Sequence, residues 1–376
     1  MALPKLLVGI TGSIAATKTI ELINLLSNKY EINIICTQEG LKYIDNDSYK
    51  KYKIYDSWDN DTYKSPHIEL SRWADEFIIY PATANTIAKI SNGIADDLLS
   101  TTVLMYKGRV KIFPAMHEEM FLDTHIQNSL SNLLSNHDVY GPRYGALDIG
   151  DEGLGRMLEP SEAAETILDT DKNRVFVISG PTREQIDDIR FITNASSGIQ
   201  GYSLAIEASA RGYKTTLVSS IMYKNITNID QHNFNNTSDL KEIIDRLDLS
   251  KGYLFMPAAI SDFVTSKKEG KLDRRTGNKE IILSPNEDII KDIKMKNKDL
   301  ICVGFSAQLD STLSKDKLVE KNLDYLVIND VSNPEIGFGS NDNKVTILNK
   351  NNDYIDVPKN NKFIISKYIL DYVIPK

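Results

Sequence analysis

The chain has 376 residues, of which 41% are hydrophobic and 26% are charged, and its formal net charge is −8. This length exceeds what one hydrophobic core usually supports, so we expect two domains. The acidic balance disfavours a general nucleic-acid binder, which would present a basic face. No stretch has the roughly 20 apolar residues of a membrane span, and the N-terminus does not resemble a signal peptide. We therefore expect a cytoplasmic protein that binds neither membranes nor nucleic acid.

Strand-length apolar runs alternate with helical periodicity through the first half of the chain. We predict strands at 6–10, 32–36, 77–80 and 110–113, and helices at 14–27, 83–90 and 118–134. Strands that are apolar on both faces and separated by amphipathic helices are typical of a parallel sheet covered on both sides. The first half is therefore predicted to be a doubly wound α/β domain, whose ligands gather at the carboxyl ends of the strands.

The pattern restarts after a short helix that follows Pro160 and a polar stretch at 169–173. We predict strands at 175–179, 215–219, 253–256, 301–305 and 325–328, helices at 200–210 and before the last of these strands, a hairpin at 345–357, and a terminal helix from about 362. The predicted fold is two doubly wound Rossmann-like α/β domains, at 1–170 and 171–376. The polar, basic segment 266–279 is either a mobile flap or a solvated loop.

A glycine turn and a threonine-rich motif are the candidate ligand contacts of the first half. Gly12 and Ser13 follow the first strand, where backbone N–H groups and a hydroxyl can hold a phosphate, although any tight turn favours such residues. A more specific motif, PATANT, follows a strand at 81–86 and continues to NGIADDLLST at 92–101. His67 lies upstream of this motif, and PAMHEEM lies downstream at 114–120.

Between residues 9 and 160, these motifs resemble the flavin-dependent cysteine decarboxylases, most closely those that act on phosphopantothenoylcysteine in coenzyme A synthesis. The resemblance implies an FMN site lined by Gly12, Ser13, Thr37, Thr83, Asn85, Ser100 and Thr101. It implies that His67 is the catalytic base and that the substrate contacts His117, Met120, Arg156 and Met157. In this family FMN oxidises the thiol carbon so that the neighbouring carboxylate can leave, while the protein orients the substrate and moves protons.

Two positions depart from the pattern of this decarboxylase family. His117 stands where the family usually has an asparagine that contacts the substrate carboxylate, and an imidazole can still donate a hydrogen bond there. Ile149 stands where the family often has a proton-donating cysteine, so that water, His117 or Asp148 would have to replace it. An active ligase with an impaired decarboxylase half is therefore an alternative. A nicotinamide-linked oxidoreductase is disfavoured because neither glycine turn reads G-x-G-x-x-G.

The segment NASSG at 194–198 is the most distinctive motif of the second half. It lies between a strand that ends in Gly-Pro-Thr at 180–182 and a predicted helix, which suits anion binding by backbone N–H groups and hydroxyls. Asn194 could instead be an ordinary helix cap. Further motifs follow in order: PAAISD at 257–262, PNEDI at 285–289, GFSA at 304–307 and GFGS at 337–340.

From about 175 to 348, this series resembles the phosphopantothenate–cysteine ligases, which normally follow the decarboxylase in one chain. The resemblance implies that CTP, or ATP, activates 4′-phosphopantothenate and that cysteine attacks the acyl-nucleotide. It makes Asn194 and Lys271 catalytic and places substrate contacts at Arg190, Ser196, Ser197 and Gly198. It places nucleotide contacts at Gly180, Ala259, Asp262, Lys271, Phe305, Lys317, Lys321 and Asn329.

Charge is the main requirement of such a ligase, because two polyanions must come together. Lysines and Mg²⁺ would offset the repulsion, with Asp262 as a possible metal contact. Lys317 and Lys321 could alternatively belong to a solvated helix face. Ile199 and Gln200 replace the Lys-Met pair that often follows Ser-Ser-Gly in this family, which removes one positive contact.

The two resemblances together predict a bifunctional coenzyme A biosynthesis enzyme that ligates first and then decarboxylates to 4′-phosphopantetheine. Decarboxylases of this type build the FMN site between subunits, so the resemblance implies a homo-oligomer that contains trimers. A non-catalytic FMN-binding regulatory protein is a further alternative. It is disfavoured because a regulator has no use for Lys271 and Asn194.

Overall fold

A computed structural model describes residues 2–59, 62–169, 172–223, 228–273, 277, 280–308, 316–330, 340–351 and 353–374. These residues form two compact units that divide between Lys172 and Asn173, except that Ser209–Gly212 and Asn228 group with the first unit. Two predicted features are affected by the gaps. Residues 337–339 of the GFGS motif, and residues 274–276 and 278–279 of the predicted flap, lie outside the described residues.

The first unit is built on a six-stranded parallel sheet with the strand order β3-β2-β1-β4-β5-β6. These strands are β1 (Lys5–Ile10), β2 (Glu31–Cys36), β3 (Lys53–Tyr55), β4 (Glu76–Ala82), β5 (Val110–Pro114) and β6 (Asp138–Val139). An antiparallel hairpin follows, formed by β7 (Arg143–Ala146) and β8 (Glu152–Arg156). The central strands are almost wholly buried, which explains their continuous apolar sequence.

Helices lie between the consecutive parallel strands of the first unit, as in a doubly wound sheet. They are α1 (Thr19–Leu26), α2 (Asn46–Tyr49), α3 (Pro66–Trp73), α4 (Ala84–Ser91), α5 (Leu98–Met105), α6 (Glu118–Leu122), α7 (Thr124–Leu133) and α8 (Pro160–Leu168). Short 3-10 helices lie at Ile14–Lys18 and Gly40–Tyr43.

Two predicted helices of the first unit need correction. The helix predicted at 14–27 begins as a 3-10 turn at Ile14–Lys18 and becomes α-helical only at Thr19. The helix predicted at 118–134 is two helices, because the backbone of Asp123 is extended and its carboxylate caps α7 by accepting from His125 N at 2.8 Å. The sequence pattern also missed α5, whose start at Asp97 and Ser100 is a capping box.

The second unit is built on an eight-stranded sheet with the order β13-β12-β9-β14-β17-β18-β19-β20. Its strands are β9 (Arg174–Ser179), β12 (Lys214–Ser219), β13 (Ile229–Asn233), β14 (Gly252–Met256), β17 (Leu300–Gln308), β18 (Tyr325–Asp330), β19 (Asp342–Asn349) and β20 (Tyr354–Asn361). The strands from β13 to β18 are parallel, whereas β19 and β20 form an antiparallel hairpin with Pro358 and Lys359 in the outer strand.

Two antiparallel ribbons and a set of helices complete the second unit. The ribbons pair β10 (Arg183–Gln185) with β11 (Phe191–Thr193), and β15 (Phe263–Thr265) with β16 (Leu283–Pro285). The helices are α9 (Ile199–Ala210), α10 (Thr237–Ile244), α11 (Ile289–Lys296), α12 (Asp316–Glu320) and α13 (Lys362–Val373). The ribbons, β13, α10 and α11 were not predicted. The ribbon strands have only three residues each, which carry too little periodicity to be recognised.

The two units repeat one strand order, since β13-β12-β9-β14-β17-β18 corresponds to β3-β2-β1-β4-β5-β6. This order is that of a doubly wound nucleotide-binding sheet. The predicted fold class of two Rossmann-like α/β domains is therefore confirmed. Within the described ranges, none of the helices combines the length and hydropathy that a membrane crossing requires.

We expect Leu22→Ala to destabilise the first unit by about 2–5 kcal/mol, because Leu22 on α1 is fully buried in the core and its truncation leaves a cavity. Leu25→Ala is the matched control, since Leu25 lies on the same helix with 45% of its surface exposed. Its effect should stay within about 0.5 kcal/mol. Urea unfolding followed by circular dichroism measures both, and equal midpoints for the two variants would contradict this core assignment.

Candidate active sites

The first unit has a cleft of about 1030 Å³ at the carboxyl ends of its parallel strands. Its walls come from the segments that follow β1, β2, β4 and β5, together with the β7–β8 hairpin. The volume lies at the upper end of the range for small-molecule sites, which leaves room for a cofactor and a substrate together. The predicted position of the ligand at the carboxyl edge thus coincides with a real cavity.

Five residues of the predicted flavin set line this cleft: Gly12, Ser13, Thr37, Thr83 and Asn85. Three of their hydroxyls also fix the local turns. Ser13 Oγ accepts from Ala15 N at 3.3 Å, Thr37 Oγ1 accepts from Gly40 N at 3.1 Å, and Thr83 Oγ1 accepts from Thr86 N at 3.3 Å.

Gly12 cannot be replaced by a larger residue without moving its neighbour. A Cβ at Gly12 would lie 2.5 Å from the Cβ of Glu39, far inside van der Waals contact. The segment after β1 and the turn after β2 therefore approach each other closely where both line the cleft. This requirement for glycine is steric, because the backbone of Gly12 is not in the left-handed region.

Two cations of the first cleft are held by one carboxylate. Glu159 accepts from Lys18 Nζ at 2.7 and 2.9 Å and from Arg156 Nε at 3.1 Å. Lys18 and Arg156 both line the cleft. Burial of Glu159 opposes its ionisation, but the hydrogen bonds from the two cations outweigh burial and lower the pKa of the carboxyl.

His117 lines the first cleft, as predicted for a substrate contact, together with Met120, Arg156 and Met157. Its Nδ1 contacts Glu119 Oε2, and its Nε2 lies 3.3 Å from Asp151 Oδ2. The hydrogen bond with Glu119, helped by the charges of Glu119 and Asp151, raises the pKa of His117.

Ile149 and Asp148 lie in the loop between β7 and β8 and line the same cleft. Ile149 is 79% exposed. An isoleucine has no proton to donate, so the acid–base groups considered in its place are Asp148 of the same loop and His117, which follows β5 and lines the same cleft.

Three predicted residues of the flavin half, His67, Ser100 and Thr101, are not part of the cleft of a single chain. His67 lies in the first turn of α3, and its ring packs edge-on against Trp58 at 5.2 Å. Its buried Nδ1 has no hydrogen-bond partner among the described residues. Ser100 and Thr101 lie in the first turn of α5, where both hydroxyls bond to the backbone oxygen of Asp97.

The second unit has a cleft of about 470 Å³, also at the carboxyl edge of its parallel strands. Its walls come from the loop before α9, the segment after β14, the ends of β17 and β18, and the region around α12. The predicted ligase residues that line it are Asn194, Ser196, Ser197, Gly198, Ala259, Asp262, Phe305, Lys317, Lys321 and Asn329.

Asn194 joins two walls of the second cleft. Its side-chain amide nitrogen donates to the backbone oxygens of Ala259 at 3.1 Å and Ile260 at 3.2 Å. Asn194 is thus a bridge between the loop before α9 and the segment after β14. The alternative that it merely caps α9 is not supported, because its side chain bonds outside that helix.

The two lysines near α12 face the second cleft and are held by polar neighbours. Lys317 Nζ donates to Ser306 Oγ at 3.1 Å, and Lys321 Nζ lies 2.9 Å from Asp288 Oδ2. Ser306 and Asp288 line the cleft as well. Both lysines therefore have a polar contact within the lining of the cleft.

Three predicted contacts of the ligase half, Gly180, Lys271 and Arg190, do not line the second cleft. Gly180 has a φ of +83°. Its backbone oxygen accepts from Ala259 N at 3.0 Å, so Gly180 contacts a residue of the cleft wall without lining the cleft itself. Lys271 is exposed. The Arg190 side chain is turned toward Asp187, with Nη2 at 2.7 Å from Oδ2.

Sequence reasoning missed several residues of the second cleft, among them Asn286, Asn343 and Lys362. Gln200, which with Ile199 stands where the family often has Lys-Met, donates to Ser366 Oγ of α13 at 2.8 Å. Lys362 opens α13, is 4% exposed and faces the same cleft. A lysine at the start of an apolar terminal helix carried no motif that could have identified it.

A preformed metal centre is not seen in the part of the chain that the structure describes, where no group of three or more His, Cys, Asp or Glu could hold a metal ion. Asp262 is the predicted metal contact, and it lines the second cleft. Mg²⁺ in phosphate chemistry is typically held by one or two carboxylates, water and the phosphates of the substrate.

Two family models together match almost the whole chain. Residues 2–171 match a family described as Flavoprotein, and residues 170–375 match the DNA/pantothenate metabolism flavoprotein C-terminal domain.

Curated relatives fall under two names. A cysteine/cysteine sulfinic acid decarboxylase from an unknown prokaryotic organism is 37% identical over 306 residues, which cover 76% of this chain and 85% of the relative. The coenzyme A biosynthesis bifunctional protein CoaBC of Haemophilus influenzae is 33% identical over 369 residues, covering 92% of this chain and 91% of the relative. The protein of the same name from Vibrio parahaemolyticus is 31% identical over 364 residues, covering 92% and 91%.

The raised pKa of His117 leads to a prediction about pH. Glu119→Gln should move the His117 pKa down toward the ordinary value of about 6.5, because it removes the main hydrogen-bonding charge. Protonation of His117 stabilises the native fold at acid pH, and this contribution is lost as the pH rises through the raised pKa. NMR titration of the imidazole carbons measures the shift, with Glu31→Gln on β2 as the control. A His117 titration that is unchanged in Glu119→Gln would contradict this assignment.

Proposed function

The chain belongs to the family of bifunctional coenzyme A biosynthesis proteins, and we propose that its second unit joins 4′-phosphopantothenate to cysteine while its first unit decarboxylates the product. We assign the decarboxylase to residues 1–170 and the ligase to residues 171–376. The observation that carries the proposal is that each half has its own cleft, lined by most of the residues that the corresponding family motif supplies. The alternatives of an impaired decarboxylase and of a non-catalytic regulator are not favoured by relatives that cover more than nine-tenths of the chain.

FMN is the cofactor that we propose for the first cleft. Hydroxyl and amide groups of Ser13, Thr37 and Asn85 would hold its polar parts, and the methionines at 116, 120 and 157 give an apolar wall for its rings. When bound, FMN supplies the two-electron oxidation that lets the carboxylate next to the thiol-bearing carbon leave.

The charged groups of the first cleft would handle the substrate. Arg156 and Lys18, fixed by Glu159, present positive charge to an anionic substrate. His117 lines the same cleft as Arg156, and Glu119 and Asp151 favour the protonated form of its imidazole, which can bind a carboxylate. We propose that His117 also donates the proton that the cysteine at position 149 would supply elsewhere in the family.

The ligase chemistry requires cations around a nucleoside triphosphate, for which we propose CTP. Lys317 and Lys321 line the second cleft and are oriented by Ser306 and Asp288. They would offset the charge that develops on the phosphate under attack, together with Lys271. Asp262 would bind Mg²⁺ that arrives with the nucleotide, which explains why a complete protein-built metal centre is not required.

A second candidate function for the first unit is decarboxylation of free cysteine or its sulfinic acid. The observation that favours it is the relative of that name, which is 37% identical over 306 residues. Ile149, which stands where the family often has a proton-donating cysteine, also gives the loop between β7 and β8 a different contact with a bound substrate.

We expect variants of the two halves to lose different products. His67→Asn should lower carbon dioxide release by about 10²–10⁴-fold, the range for loss of a general acid–base group, and leave pyrophosphate release unchanged. Lys271→Ala should do the reverse, so each variant is the control for the other. The assay offers 4′-phosphopantothenate and cysteine with CTP or ATP, and separately phosphopantothenoylcysteine or free cysteine.

The outcomes of this assay separate the candidates. If neither CTP nor ATP yields pyrophosphate, the proposed ligase activity is refuted. Carbon dioxide release from free cysteine but not from phosphopantothenoylcysteine would favour the second candidate, and release from neither would refute both decarboxylase proposals.

We also propose a homo-oligomer that contains trimers, in which α5 of one copy completes the flavin site of another. Ser100 and Thr101 lie on α5, and the neighbouring Ile94, Leu104 and Met105 are 48%, 64% and 40% exposed. Large apolar side chains grouped on a surface are typical of an interface. The unsatisfied Nδ1 of His67 is also suited to a partner that a single chain does not provide. For such an assembly we expect a cytoplasmic location, without binding to membranes or nucleic acid.

Leu104→Arg should convert the oligomer to smaller species and reduce bound flavin, because a charge at this surface opposes burial. Leu25→Arg is the control, since Leu25 is 45% exposed on α1. Native mass and flavin absorbance measure both effects. An unchanged mass and flavin content in Leu104→Arg would overturn the assigned interface.

A further inference from the structure

The loop between β10 and β11 contains a carboxylate that no ligand contact explains. Asp187 is completely buried. Its Oδ1 accepts from Ile189 N at 2.9 Å and Arg190 N at 2.7 Å. Its Oδ2 accepts from Arg190 Nε at 3.0 Å and from Leu272 N at 3.0 Å. A buried carboxylate is stable only when it is paired and hydrogen-bonded in this way, so its partners indicate what it holds in place.

The donor at Leu272 belongs to the segment that was predicted as a flap. Further bonds join the same two parts of the chain. Arg190 Nη2 donates to the backbone oxygen of Leu272 at 2.7 Å, and Lys268 N donates to the backbone oxygen of Ile186 at 3.0 Å. These hydrogen bonds attach the backbone of the flap segment to the β10–β11 loop.

Asp188, the next residue, holds the flap segment at a second point. Its Oδ2 accepts from Gly270 N at 2.8 Å, and its Oδ1 lies 2.8 Å from Lys267 Nζ. Its own N–H donates to the backbone oxygen of Gly270 at 3.4 Å. Asp187 and Asp188 therefore fix the residues on both sides of Lys271, namely Gly270 and Leu272.

We propose that Asp187 and Asp188 form a clamp that positions Lys271 for the ligase reaction. This inference rests on the proposed function, because Lys271 is a proposed catalytic residue. The clamp fixes the backbone at Lys271 while its side chain remains exposed. Asp187 and Asp188 are positioning residues, since they act through the flap and not on the substrate.

The clamp also ties the flap to the second cleft. The loop with Asp187 leads through β11 to Asn194, whose side chain bonds to Ala259 and Ile260 in the cleft wall. Charge-assisted hydrogen bonds of this kind are stronger and more directional than neutral ones, which suits a fixed anchor.

The first test is kinetic. Asp187→Asn should lower kcat for ligation on the order of 10–100-fold, because misplacement of a catalytic group by about 1 Å has effects of this size. The KM for the nucleotide should change less than about threefold. The matched control is Asp248→Asn, since Asp248 is an exposed carboxylate of the same unit that pairs with Arg174 at 2.9 Å. It should leave kcat unchanged, and both variants should keep wild-type carbon dioxide release from phosphopantothenoylcysteine.

A double variant separates positioning from simple loss of structure. If Asp187 acts through Lys271, Asp187→Asn combined with Lys271→Ala should be within about twofold of Lys271→Ala alone, because coupled residues are not additive. Multiplicative losses in the double variant would overturn the proposal, as would a wild-type kcat in Asp187→Asn.

The second test does not depend on ligation. Trypsin should cleave after Lys267, Lys268 or Lys271 several-fold faster in Asp187→Asn and Asp188→Asn than in Asp248→Asn. Asp188 is half exposed, so Asp188→Asn decides the question even if Asp187→Asn does not fold. Equal cleavage rates in Asp188→Asn and the control would refute the clamp. A protein without ligase activity but with faster cleavage in the clamp variants would refute the proposed function and leave the clamp intact.

Discussion

Parallel strands end at one edge of a sheet, and this geometric constraint determines where both sites of this protein lie. In each unit the chain adds strands first on one side of the first strand and then on the other side. The loops that follow the neighbouring strands diverge at this point and leave a cleft there. Backbone groups at that edge are not used by the sheet and remain available to ligands. The first cleft is formed after β1, β2, β4 and β5, and the second after β14, β17 and β18. One architectural rule thus serves two unrelated reactions.

Acidic partners recur beside the cations that these clefts present. Glu159 orients Arg156 and Lys18, and Asp288 orients Lys321. A lysine or arginine without such a partner would lose much rotamer freedom when it binds an anion. A carboxylate that fixes the side chain beforehand reduces that loss at the cost of some positive potential. The net charge of −8 is therefore compatible with two sites for anionic substrates, because positive charge is local.

The sequence predicted the longer buried strands and the terminal hairpin because buried parallel strands are apolar throughout and are bounded by turn residues. It missed β3, β6 and β13, which are short or largely not buried. Most of the site residues that it predicted line one of the two clefts, because their motifs follow strands directly. It did not reveal that Asp123 divides α6 from α7, since a capping aspartate within an otherwise helical pattern can be read as a surface residue. Pairings distant along the chain, such as Lys18 with Glu159, leave no periodic signal. Three residues predicted for the first site, His67, Ser100 and Thr101, line neither cleft. The same holds for Gly180, Arg190 and Lys271 of the second site, because the position of a motif does not determine which side chains face a cavity.

The hairpin of β19 and β20 has a consequence for solubility during synthesis and folding. A parallel sheet that simply stopped would expose a row of unpaired backbone groups, onto which a strand from another molecule could add. Here the outer strand carries Pro358, which has no N–H to donate, and Lys359, whose charge opposes a second copy. The antiparallel hairpin therefore gives the sheet an edge strand that disfavours the addition of strands from other molecules. This edge is the one opposite β13.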